Sequence, residues 1–177
     1  PCAIFITEAT FGLPVFRHPP TEQEIAKLIG AVRAEPDRCV LVGAYALGKA
    51  QRVIAELRAA GWDAPIYIHG AMEKMCALYA AHGVNLGELR LVSETDKADM
   101  AGQIILAAPS APNERRSRAH PGPVTAMASG WLRVRPRARP RAVELPLVVS
   151  DHADWDDLTP SISPVNPNES WITHDSE

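Results

Sequence analysis

The stretch Cys39-Val-Leu-Val-Gly43-Ala-Tyr45-Ala-Leu-Gly48-Lys49-Ala-Gln-Arg52-Val-Ile-Ala-Glu-Leu-Arg-Ala-Ala-Gly61 decides the fold. Residues 39–42 read as a short buried strand, Gly43-Ala44-Tyr45 leads out of it, and a helix over about residues 47–60 ends at Gly61. Working toward the N-terminus, Thr21-Glu22-Gln23-Glu24 has the form of a capping box. Behind it, Ile25, Leu28, Ile29 and Val32 make an apolar stripe at helical spacing until Pro36 stops it. Further out, Ile4-Phe5-Ile6-Thr7 is a β-favouring run closed by Gly12 and Pro14, with Glu8 and Thr10 displayed on the loop. Toward the C-terminus, Ile66-Tyr67-Ile68 repeats the strand pattern and residues 72–81 the helix pattern, and residues 89–92 and 103–107 read as further strands. This alternation predicts an α/β fold, a Rossmann-like and mostly parallel sheet with helices on both faces. Ligands of such sheets lie beyond the carboxyl ends of the strands, which singles out the loops at 8–12, 43–49 and 69–70.

The chain has 177 residues, 46% hydrophobic and 22% charged, which fits one globular domain or one and a fragment. Its longest uncharged stretches fall short of the roughly 18 apolar residues of a membrane span, and no secretory signal opens it. Cys2, Cys39 and Cys76 are far apart without a Cys-x-x-Cys spacing, which argues against a disulfide framework and makes a reducing cytoplasm the expected home. The net charge of −3 conceals opposed blocks. Residues 113–142 carry eight arginines against Glu114, and residues 143–177 carry eight acids with no Lys or Arg. Ten of the 16 prolines follow residue 108, so turns and extended segments are expected there.

Three motifs carry chemistry. Gly43 to Lys49 sets two glycines and a lysine at a strand-to-helix junction. N–H groups there attract phosphate oxygens, with Lys49 and Arg52 adding charge. Ala50 stands where a P-loop needs Ser or Thr, which argues against a nucleotide-hydrolysing P-loop, and an ordinary tight turn is the equal alternative. Arg133, Arg135, Arg137, Arg139 and Arg141 alternate, so an extended backbone would put all five on one side to track phosphates, or else form a charged edge that deters aggregation. Arg115, Arg116 and Arg118 read as a plain loop. Val148-Val149-Ser150-Asp151-His152-Ala153-Asp154-Trp155 reads as a buried strand followed by a histidine between two carboxylates. Such a histidine suits a proton donor or a metal ligand. Trp171-Ile172-Thr173-His174 is a second strand ending in His, while His18, His82 and His120 read as surface loop residues.

Ile6-Thr-Glu-Ala-Thr-Phe-Gly-Leu-Pro14, Tyr45-Ala-Leu-Gly-Lys-Ala-Gln-Arg52, Ser150-Asp-His-Ala-Asp-Trp155 and Trp171-Ile-Thr-His174, in that order, resemble metallo-β-lactamase-fold nucleases of the β-CASP group. The likeness is greatest to ligase-associated DNA exonucleases, also called mRNA 3'-end-processing-like exonucleases. It implies metal-dependent phosphodiester hydrolysis, with two zinc or other divalent ions in the complete enzyme. Carried over by motif, the family's acid falls on Glu8, the histidine thought to protonate the leaving oxygen on His152, and a metal-ligating histidine on His174. Gly48, Lys49, Arg52, Arg133, Arg135 and Arg137 are the expected nucleic-acid contacts. The family's upstream metal motif is missing, since no His-x-His occurs. With the start at Pro1, this makes the chain the expected carboxyl-side portion of a nuclease: residues 1–20 leaving a metallo-β-lactamase portion, 21–142 the cap with its basic strip at 133–141, and 143–177 a returning segment. Alone it is expected to be inactive. Pro160, Pro164 and Pro167 are expected to interrupt a helix after Trp155. DNA is the favoured partner, with DNA ligase or helicase as repair partners, although a histidine at the position of His174 is commoner among RNA processors. The rivals are a catalytically inactive nucleic-acid-binding scaffold and, resting on the Gly43 to Lys49 turn alone, a phosphate-binding transferase.

Overall fold

A computed structural model describes residues 2–113, 122–134 and 143–173. Along the chain lie β1 (Ile4–Glu8), α1 (Thr21–Ala34), β2 (Val40–Gly43), α2 (Lys49–Ala59), β3 (Ile66–Ile68) and α3 (Glu73–Ala81). They are followed by β4 (Leu89–Leu91), β5 (Ile104–Ala107), β6 (Val124–Ala128), β7 (Leu145–Leu147), α4 (Trp155–Ile162) and β8 (Glu169–Thr173). Six strands form one sheet in the order β4-β3-β5-β2-β6-β7, every neighbouring pair parallel. β1 and β8 pair in parallel as a separate two-stranded sheet, Glu8 opposite Thr173. The fold is α/β with parallel sheets flanked by helices.

Handedness distributes the connections. The path β2-α2-β3-α3-β4 moves toward one sheet edge, and the path β4-β5-β6-β7 returns. Right-handed crossovers place connections of opposite direction on opposite faces. Val40, Val42 and Leu106 accordingly pack with Leu28 of α1, Ile54 of α2 and Cys76 of α3 in one large buried cluster. Leu41, Tyr67 and Ile105, pointing the other way by strand alternation, pack with Met100 in a smaller one. Among the described residues, the longer helices and the helical turns divide between the two clusters. α1, α2 and α3 share the first cluster, and Met100, on the helical turn Lys97–Met100, closes the second.

Four expectations change. β6 was hidden in sequence between two arginine-rich blocks, and its Ala126 and Ala128 are poor strand formers; a central place in the sheet buries them and overrides propensity. The buried strand expected at Val148-Val149 lies one step earlier, in β7. Pro146 is tolerated there because β7 is an edge strand. Since β7 joins the same sheet, that sheet extends past the boundary expected at residue 142. The capping box does not close: α1 has no side-chain cap, because buried Glu24 instead accepts the Val148 N–H at 3.0 Å and pairs with Lys27 at 2.5 Å. Last, α4 forms with Pro160 inside it, started by the Asp154 carboxylate, which accepts the N–H groups of Asp156 and Asp157.

Candidate active site

Glu8 ends β1, and its carboxylate is held from two sides. Oε2 accepts the Thr10 N–H at 2.8 Å and lies 3.4 Å from Nδ1 of His152. Desolvation pushes the Glu8 pKa up, but the Thr10 hydrogen bonds and the His152 imidazole outweigh it and hold the group below its ordinary 4.5. Glu8 is therefore anionic at neutral pH. His152 is fixed locally by Ser150, whose hydroxyl accepts the His152 N–H at 3.0 Å and donates to the His152 carbonyl at 3.1 Å. Residues from the two ends of the chain thus form one acid–imidazole pair.

An aromatic hub backs this pair. The ring of Phe11, buried just after Glu8, stands edge-on to His152, His18 and Trp131, with ring centroids 6.1, 4.8 and 5.1 Å away, and tilted against Phe16 at 5.0 Å. Gly130 is required by this packing: a Cβ there would fall 2.6 Å from Phe11 Cζ. His18 is not the surface residue its sequence context suggests. Its backbone N–H donates to Asp154 at 2.7 Å, its ring packs on Phe11 and Phe16, and burial lowers its pKa below 6.5 against the pull of Asp154. His82 is on the surface, as expected. Gly130 and Trp131 are not marked in the sequence, because the strand they follow, β6, is itself hidden there.

The Gly48–Arg52 junction adjoins the pair through Asp151. Gly48 has φ +80°, a left-handed conformation that favours glycine, and Asp151 Oδ2 would lie 3.1 Å from a Cβ placed there. Lys49 is buried and its Nζ lies 3.0 Å from Asp151 Oδ1 and 5.0 Å from the Tyr45 ring centroid. Arg52 donates to the Ser150 carbonyl and, at 3.2 Å, to Thr21 Oγ1. The N–H groups of Lys49 and Ala50, at the helix start, go to the carbonyls of Leu47 and Tyr45. The protein's own Asp151 thus lies where the sequence suggested a phosphate.

Arg133 closes the helical turn Gly130–Arg133, so it does not lie on the extended strip expected of it; the chain curls after β6 to pack Trp131 on Phe11. Arg135, Arg137, Arg139 and Arg141 lie outside the described residues, as do His174, Arg115, Arg116, Arg118 and His120. Among the described residues, no group of three or more His, Cys, Asp or Glu side chains is placed to hold a metal ion. Zinc needs at least three protein ligands in a catalytic site, so this donor set by itself does not fit the zinc pair that the resemblance implies. Among the described residues, no helix is long and apolar enough to cross a membrane.

No protein-family model matches the chain. It is 32% identical over 183 residues, covering 98% of its own length, to a protein of Opitutus terrae (strain DSM 11246 / JCM 15787 / PB90-1) named a probable DNA ligase. The chain spans 17% of that relative's length.

Proposed function

We propose that this chain supplies the cap and part of the active site of a nucleic-acid phosphodiesterase of the β-CASP group, an exonuclease acting on DNA in repair. The observation that carries this reading is the Glu8–His152 pair, two motif residues from opposite ends of the sequence within 3.4 Å of each other. With Nδ1 facing the Glu8 carboxylate, Nε2 is the ring atom left to hand a proton to a leaving oxygen. DNA is favoured because the relative of Opitutus terrae is named a probable DNA ligase. Its much greater length fits a nuclease region working in one polypeptide, or as a partner, with a ligase. Zinc belongs to this proposal only with ligands beyond the described residues, so the roles assigned here are those of Glu8 and His152 alone.

The test uses the full-length protein and two substrates. On DNA, His152→Ala should slow hydrolysis by about 100- to 10,000-fold, the contribution of a positioned proton donor. On a nitrophenyl phosphodiester, whose leaving group needs no proton, the same change should matter far less. Equal losses on both substrates reject His152 as the donor, and binding of DNA without cleavage by the unaltered protein leaves the inactive scaffold as the better reading.

A further inference from the structure

Two carboxylates flank His152 in sequence, and the fold engages both elsewhere. Asp154 starts α4 and accepts the His18 N–H at 2.7 Å. Asp151 Oδ1 lies 3.0 Å from the Lys49 ammonium. The acid at the imidazole is instead Glu8, from the far end of the chain. The charge of Lys49 is committed to its bond, because the side chain is 6% exposed and has little water to replace Asp151 if the ammonium turned toward a phosphate.

The helix that carries Lys49 also holds the backbone beneath the ring. Arg52, three residues further along α2, donates to the Ser150 carbonyl, and the Ser150 hydroxyl accepts the His152 N–H at 3.0 Å. This helix is a firm support, since its Ala50, Val53, Ile54 and Leu57 are fully buried. His152 needs one. Its side chain is 48% exposed, and it stands between β7 and α4, outside any helix or strand. An unpaired Asp151 would loosen that segment and offer the ring a second acceptor one residue away. We infer that Lys49 is a positioning residue for His152: by binding Asp151 it fixes the segment that carries the imidazole and leaves the ring to Glu8. The inference rests on the nuclease reading above and gives Lys49 a part in the proton-transfer step in place of a direct contact with nucleic acid.

Steady-state kinetics of the full-length protein test it, on DNA and on a nitrophenyl phosphodiester. Lys49→Met should lower kcat on DNA by about 10- to 100-fold, since a displacement of about 1 Å suffices for a loss of that order. KM should stay as it is, because an interaction that acts only in the chemical step leaves ground-state binding alone. The nitrophenyl substrate should be nearly indifferent to the change. In a His152→Ala background, Lys49→Met should cost nothing more, as the imidazole it positions is gone. Lys49→Gln, whose amide still reaches toward Asp151, should lose less, and it carries the same comparisons where circular dichroism shows Lys49→Met unfolded. A raised KM with kcat intact makes Lys49 a phosphate contact and overturns the inference. Full kcat in the folded variant, or a loss that adds to that of His152→Ala, overturns it too, and each of these results leaves the nuclease reading standing. Full activity on DNA in His152→Ala, or none in the unaltered protein, removes both.

Discussion

Lys49 Nζ and Asp151 Oδ1 are 3.0 Å apart, which makes the first residue of α2 and the residue before His152 one electrostatic unit. The partners are unequal: the Lys49 side chain is 6% exposed and that of Asp151 28%. An ammonium ion withdrawn from water needs its counter-ion more than a carboxylate that still touches water.

The inequality sets an order of stabilities. Asp151→Ala strands a buried charge and should destabilise by about 3 kcal/mol, at the low end for breaking a buried pair. Lys49→Met keeps an apolar stem in the same space and leaves Asp151 partly hydrated, so roughly 1 kcal/mol is expected. Urea denaturation of both variants measures this, and a larger loss in Lys49→Met contradicts the argument.

Much of this fold was legible because its core strands are pure in pattern. Val40 to Gly43 and Ile104 to Ala107 are buried throughout, so hydrophobicity alone marked them. β6 was illegible for the converse reason, since Ala126 and Ala128 become strand residues only through their neighbours β2 and β7. In the site, Glu8 and His152 were found by motif, and the structure brings them together. Phe11, Gly130 and Trp131 form their contacts across more than a hundred residues, where sequence periodicity carries no signal. The phosphate expected at Gly48 to Lys49 also depended on a distant residue, Asp151.

Acid should weaken the protein in two separate windows. His18 has a folded-state pKa below 6.5, so the unfolded chain binds its proton first, and stability falls as pH drops below that value. Glu8 has a folded-state pKa below 4.5, so the stability its anion contributes is present above 4.5 and is lost as pH falls through the lower folded-state value. Thermal unfolding across about pH 3 to 8 should therefore lose its upper decline in His18→Phe and part of its lower decline in Glu8→Gln. Parallel curves for the unaltered protein and both variants would falsify the assignment.

Gly130 is where packing and chemistry meet. An added methyl would lie 2.6 and 2.7 Å from two Phe11 ring carbons and 3.0 Å from His18 Cε1. A planar ring wedged between Phe16, His18 and Trp131 has little room to withdraw, and overpacking of this kind costs about 1–3 kcal/mol. Gly130→Ala should lower stability by that amount, whereas Gly30→Ala, inside α1 with nothing within 4 Å, should raise it by roughly 0.5–1 kcal/mol. Combining Gly130→Ala with Phe11→Leu should be less damaging than the sum of the two, because the smaller side chain clears the clash; a coupling of at least about 0.5 kcal/mol is expected. Since the Phe11 ring also faces His152 edge-on, the nuclease proposed above should be slowed on DNA by the single Gly130→Ala change, and the double variant should recover part of that loss. Additive losses in the denaturation cycle would separate Gly130 from Phe11 and leave the glycine with a local backbone role only.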